Sequence, residues 1–217
     1  MNFEQARFNM VEQQIRTWEV LDQDVLDLLM TVRREEFVPA AYRNLAFADV
    51  EIPIGCGQVM LKPVIEAKIL QALRVGRSDS VLEIGAGSGY FAALLAARAD
   101  WVRSLEIEPG LAKLASENLE RYGVENVSVL EGDGAGGLPD SGPFDVIVVS
   151  AGVPSLPRAL LEQLKPGGRL FAFVGDAPVM KARLVTCVEP GQYATEDIFE
   201  SLVPMLSNAP AGDAFRF

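Results

Sequence analysis

Apolar residues recur along this chain with two different spacings, and the change from one to the other divides it. In the first seventy residues the spacing is helical. Ala6, Met10, Val11, Ile15 and Trp18 predict a helix from Asn2 to about Thr17. Val25, Leu26, Leu28 and Leu29 supply the buried side of a second helix, Asp22 to Val32. Arg33-Arg34-Glu35-Glu36 then reads as a solvated helix end, and Pro39 stops the helix. From Asp49 to Pro63, two prolines and two glycines predict a loop. Its Val59-Met60-Leu61 run is too apolar for free solvation and is expected to pack on protein or ligand. A helix from Val64 to Leu73 leads into the next part, and the section up to Pro39 reads as a helical cap without chemistry of its own.

Beyond residue 75 short apolar runs alternate with helical patterns. Strands are predicted at Ser80–Ile84, Trp101–Ile107, Val127–Leu130, Phe144–Val149 and Arg169–Val174, with weaker ones at Arg183–Val188 and Glu196–Leu202. Helices are predicted at Tyr90–Ala99, Pro109–Tyr122 and Leu156–Leu164; Pro109 suits a first turn and Gly123 a stop. Such alternation builds an α/β fold on a parallel sheet, whose ligands sit at the carboxyl ends of the strands. At 217 residues one domain is expected. It divides into N-terminal helices and a loop (1–75), a ligand-binding core (76–206) and an irregular tail (207–217).

The candidate chemistry centres on Val81-Leu82-Glu83-Ile84-Gly85-Ala86-Gly87-Ser88-Gly89-Tyr90. Gly85 and Gly87 let the backbone approach a nucleotide-like ligand, and Gly89 is expected to let the next helix pack tightly on the strand. The spacing Glu-x-Gly-x-Gly-x-Gly is one residue short of the dinucleotide fingerprint, and no Gly-Lys-Ser/Thr follows, so a P-loop is excluded. A compressed loop without phosphate-binding apparatus suits a ligand with ribose and adenine but no pyrophosphate. S-adenosylmethionine (SAM) is such a ligand, and the Glu83 carboxylate would face its cationic amino-acid end. The backbone from Gly85 through Ala86, Gly87 and Ser88 to Gly89 lines the site in this reading.

Each later strand end adds a candidate. Glu106 would accept two ribose hydroxyls, against the plainer role of an acid at a helix start. Asp133 would accept the adenine amino group while the adjoining Gly134 makes room for the ring, against a simple Asp-Gly turn. Ser150 would face either cofactor or acceptor, against the plainer role of a structural serine in a loop.

Composition narrows the field. There is no histidine, which removes imidazole bases and His-ligated metals, and no metal site is expected. A net charge of −11 argues against a nucleic-acid partner. No apolar run has the length of a membrane span and no signal-peptide pattern opens the chain, so no membrane partner is expected. Cys56 and Cys187, far apart and without metal-ligand spacing, read as free thiols of a reducing cytoplasm.

Several stretches, in order, resemble the protein-L-isoaspartate O-methyltransferase family of class I SAM-dependent methyltransferases. They are Met10-Val11-Glu12-Gln13-Gln14-Ile15, Arg34-Glu35-Glu36-Phe37-Val38-Pro39, Ile52-Pro53-Ile54-Gly55-Cys56-Gly57-Gln58, Val81 to Tyr90, Gly132-Asp133-Gly134, Gln163 to Leu170, and Val174-Gly175. The resemblance implies a doubly wound, Rossmann-like sheet of seven strands in three α/β/α layers. That sheet is mostly parallel with a reversed last strand, and carries an N-terminal helical cap. It implies SAM as cofactor, with Gln58, Val59 and Met60 beside it, and methylation of isoaspartyl carboxylates in damaged proteins as a step of repair.

One departure stands out. Where the family carries Thr-Ile-Ser-Gln-Pro, this chain reads Val59-Met60-Leu61-Lys62-Pro63, with Leu61 at the position of the active-site serine. Lys62 could supply a charge there or lie in solvent. Two other readings follow from the lost hydroxyls: a SAM enzyme with a different, more apolar acceptor, or a SAM-binding protein without turnover.

Overall fold

The computed structural model describes residues 2–209. Seven strands form the central sheet: β3 (Ser80–Ile84), β4 (Trp101–Glu106), β5 (Val127–Glu131), β6 (Phe144–Val153), β7 (Leu164–Val174), β8 (Met180–Glu189) and β9 (Gln192–Ser201). Their spatial order is β5-β4-β3-β6-β7-β8-β9. The five from β5 to β7 are parallel, whereas β8 runs against β7 and β9 against β8. The reversal expected of the last strand therefore falls on the penultimate one, and β9 turns back to lie along the sheet's edge. The last two strands, β8 and β9, outrun their expected lengths because they pair with each other as a hairpin, a gain that hydropathy alone does not carry.

Side chains alternate between two cores. Val81, Val102, Val146 and Val148 face one that also takes in the N-terminal section, while Leu82, Ile84, Ile147 and Val149 face the other. The first core is covered by α3 (Pro63–Leu73), α4 (Tyr90–Ala96) and α5 (Pro109–Tyr122), together with α1 (Phe3–Asn9) and α2 (Gln23–Thr31). Every residue of α4 is buried, which explains its Ala- and Leu-rich sequence. The second core is covered by the short α6 (Arg158–Leu161) and by turns. That helix was expected to reach Leu164, but Leu164 already begins β7.

The N-terminal section departs further from expectation. The first helix runs on from α1 through a wide π-type segment, Met10–Ile15, and a tight turn, Arg16–Trp18, which leaves Trp18 exposed. Asp22 caps α2 through its side chain, accepting from the N–H of Asp24 and Val25. The Arg33–Glu36 cluster is not a solvated end. Arg34 and Glu35 are buried, paired with Glu66 and Arg7 respectively. Nor is Asp49–Pro63 a plain loop: β1 (Ile52–Gly55) and β2 (Gln58–Met60) form an antiparallel hairpin. Its buried Ile52, Ile54 and Met60 hold it on the core, and Gly55, Cys56 and Gly57 turn it with positive φ. The apolar Met60-Leu61 run packs as expected. Of the tail expected to be irregular from residue 207, positions 210–217 lie outside the described residues.

Candidate active site

The spatial order of the strands reverses at β3, which lies between β4 and β6, and a crevice opens there at the carboxyl ends. The glycine-rich turn follows β3. Its Gly85 and Ala86 N–H groups donate to the Leu105 carbonyl (2.8 and 3.3 Å), tying the turn to the end of β4. Gly85, Gly87 and Gly89 all have positive φ, so the turn's path depends on glycine. Glu106 is the anchor. One carboxylate oxygen accepts from Gly87 N–H (2.9 Å) and the other from Glu108 N–H (3.1 Å), and the side chain is 6% exposed.

A cleft opens above this turn. Gly85, Gly87, Glu106, Asp133, Gly134 and Ser150 border it from the sheet side, and Gln58, Val59 and Leu61 from the hairpin side. A second, smaller cavity adjoins it, bordered by Met60, Ala86, Ser88 and Glu66. The structure thus brings together most of the residues expected at the cofactor.

Three positions behave differently from expectation. Glu83 borders neither cavity; it lies fully buried beneath the turn. One of its oxygens accepts from the Ser104 hydroxyl and the other has no partner. Burial pushes its carboxyl up to about 8, the Ser104 hydrogen bond opposes this, and Glu106 and Glu66 reinforce it. Gly89 does not serve packing on the strand. A Cβ there would lie 3.0 Å from the Ala115 carbonyl oxygen, so its closeness is to α5. The room at Gly134 is not left for a ring, since a Cβ there would sit 2.5 Å from Ile84 Cγ2; the glycine accommodates β3.

Asp133 makes the turn contact weighed for it. It borders the cleft, and its oxygens also accept from Ala135 N–H (2.9 Å) and Asn208 Nδ2 (3.1 Å). Ser88 is buried, its carbonyl accepting from Asn118 Nδ2 (2.9 Å). Leu61 is 7% exposed and forms part of both cavity walls, whereas Lys62 is exposed and borders neither.

Two site residues escaped the sequence reading. Glu66, on α3, borders the smaller cavity, and burial pushes its carboxyl up to about 7 against the pull of Arg34. Arg34 binds Glu66, donates to the Leu61 carbonyl (2.6 Å) and lies 4.9 Å from the centre of the Tyr90 ring. A signal existed: Glu66 interrupts the apolar face made by Val64, Ala67, Ile69 and Leu70, where an acid needs a buried partner.

Residues 5–199 match the family model of protein-L-isoaspartate(D-aspartate) O-methyltransferase. The chain belongs to this family. A relative from Koribacter versatilis named protein-L-isoaspartate O-methyltransferase is 42% identical over 203 residues, 93% of this chain and 91% of the relative. One of the same name from Myxococcus xanthus is 47% identical over 190 residues, 86% and 90% of the two chains. A protein-L-isoaspartate O-methyltransferase of solved structure superposes with a TM-score of 0.80 at 26% identity, covering 94% of this chain and 67% of that one. A Plasmodium falciparum chain solved with S-adenosyl-L-homocysteine has the same fold, with a TM-score of 0.81 at 18% identity over 95% and 99% of the chains.

The cofactor of the family is SAM, and the residues present fit it. No lysine or arginine borders either cavity among the described residues, as suits a donor without phosphates. The unpartnered oxygen of Glu83 lies under the turn, where a nearby positive charge would compensate it. Glu106 is fixed by backbone groups with lone pairs to spare for hydroxyls.

Proposed function

We propose that this chain methylates the free carboxylate of isoaspartyl residues in proteins, with SAM as donor, as the first step of repair. The observation that carries the reading is the border between the two cavities. Glu106 and Asp133 border one cavity, which we assign to the nucleoside half of the donor, and Ala86, Ser88 and Glu66 border the other, which we assign to its amino-acid half. The donor supplies an electrophilic methyl group on a sulfonium. The protein has only to hold an acceptor at the shared border.

A carboxylate suits such a border. With a pKa near ~4 it is an anion at neutral pH and needs no general base, consistent with a chain without histidine. Alignment then supplies much of the rate. The Val59 and Leu61 side chains on the wall support exclusion of water from the acceptor, which sharpens the reactivity of an anion held there. The proposed partners are proteins or peptides carrying isoaspartyl residues, with no nucleic acid and no membrane. No helix among the described residues is long and apolar enough to cross a membrane. The free thiols of Cys56 and Cys187 support a reducing, cytoplasmic setting.

The same apolar wall favours a second reading, a less polar acceptor on the same donor site. Methyl transfer from labelled SAM to an isoaspartyl peptide, with its aspartyl twin as control, separates the two. Selective labelling is the expected result. Absence of labelling by protein that binds S-adenosyl-L-homocysteine would reject the isoaspartyl reading, and gain of activity in Leu61→Ser would then locate the fault in the hairpin.

A further inference from the structure

We propose that Ser150 orients the acceptor, its hydroxyl donating the hydrogen bond to the carboxylate that the hairpin wall cannot. The assignment rests on the isoaspartyl reading above and gives that reaction a hydroxyl from the sheet instead of the hairpin.

Placement is the first ground. Only Val59, Leu61, Gly85, Gly87 and Ser150 border both cavities among the described residues, and Ser150 alone of these has a polar side chain. The sulfonium of SAM joins its nucleoside half to its amino-acid half, so the methyl group belongs where the two cavities meet.

The second ground is the backbone. On β6, Val148 pairs with Phe171 of β7, and the next pair along is Gly152 with Phe173. Four steps on one strand thus match two on its neighbour, and the two extra residues form a bulge centred on Ser150. Bulges re-aim side chains and gather beside active sites. This one falls at the carboxyl end of β6, next to the glycine-rich turn. A Cβ on Gly85 would stand 3.7 Å from Ser150 Cβ, so the glycine keeps that flank of the serine open.

The third ground is the hydroxyl's own state. Ser150 Oγ is buried and has no hydrogen-bond partner. Buried hydroxyls are nearly always satisfied, so an orphan on a residue of the cavity wall calls for a partner, an ordered water or a bound group. The other serine of the smaller cavity, Ser88, already accepts from Tyr90 N–H (3.4 Å), and Ser207 borders only the larger one.

In the transfer, one acceptor oxygen bonds the methyl carbon as the carbon–sulfur bond breaks and its electron pair stays on sulfur. No proton moves. The serine keeps its hydrogen and holds the oxygen that does not react, which fixes the attacking one.

The test uses the full chain as wild type, Ser150→Ala, Ser150→Thr and Ser150→Val. Affinity for S-adenosyl-L-homocysteine is measured by calorimetry. Affinity for a fluorescent isoaspartyl peptide is then measured by anisotropy with S-adenosyl-L-homocysteine saturating, and KM and kcat are taken separately. Alanine and valine should keep the first affinity within about twofold and weaken peptide binding by about tenfold or more. Threonine, which restores the hydroxyl, should bind the peptide within about threefold of wild type. The threonine–valine pair differs only in the hydroxyl at near-equal volume, so it decides the matter even if alanine folds poorly. Equal peptide binding by threonine and valine, or a loss confined to S-adenosyl-L-homocysteine, would overturn the assignment. Wild-type protein that binds S-adenosyl-L-homocysteine but not the peptide would instead reject the isoaspartyl reading, and Ser150 would fall with it.

Discussion

Glu106 is held in place before any ligand arrives, because the N–H groups of Gly87 and Glu108 each occupy one of its oxygens. It is both a strut of the turn and a candidate ribose acceptor. Glu106→Ala should therefore weaken S-adenosyl-L-homocysteine by about 10- to 100-fold, the size of a hydrogen bond to a charged group. Calorimetry reads this directly, and unchanged affinity would remove Glu106 from the site. Its place at the cleft was legible in the sequence because it ends the strand that follows the glycine-rich turn. The places of Glu83 and Gly134 were not. Which side of a turn a carboxylate ends up on, and which neighbour takes the room beside a glycine, are set by packing between segments far apart in the chain.

The hairpin β1–β2 forms the far wall of the crevice, and α3 and the Arg34 turn hold it there. Arg34 reaches both Glu66 of α3 and the backbone carbonyl that follows β2. Arg34→Met leaves Glu66 buried without a partner and should cost about 3–5 kcal/mol, measured by urea unfolding. Adding Glu66→Leu should recover most of that loss. A single mutant as stable as wild type would mean that the pair does not hold this wall. Elements with a strong period were legible: β3 at Ser80–Ile84 and α5 at Pro109–Tyr122 lie where the pattern put them. The hairpin was not, because Pro53 and the Gly55–Gly57 turn outweighed the Ile-x-Ile alternation that betrays a strand. The buried Arg34 was hidden for a related reason: a run of four charged residues looks solvated until its partners on distant helices are known.

Across the whole molecule, two buried carboxyls and several surface ones pull stability in opposite directions with pH. Glu83 and Glu66 are raised to about 8 and about 7, chiefly by burial. The native state keeps their protons over a range where the unfolded chain, titrating near 4.5, has lost them. Their contribution to stability therefore falls as pH rises from about 5 to about 8. Asp197 acts with the opposite sign: its hydrogen bonds to Arg183 and Lys181 hold it at about 2, so its contribution is lost as pH falls through that value. The melting temperature of protein without cofactor should decline from pH 5 to pH 8.5, and Glu83→Gln should flatten the decline. A level profile in the wild type would show that these carboxyls are not protonated in the native state.

Asp197 also belongs to β9, the outermost strand on its side of the sheet, beside the exposed Glu196 and Glu200. A terminal strand offers an open row of amide and carbonyl groups to any other strand that drifts near. In a molecule of net charge −11, two such edges meet acid to acid, and the carboxylates hold them apart. Among the described residues, the strand that completes the sheet thereby also carries charge that opposes stacking into larger aggregates, and that charge is in place at neutral pH.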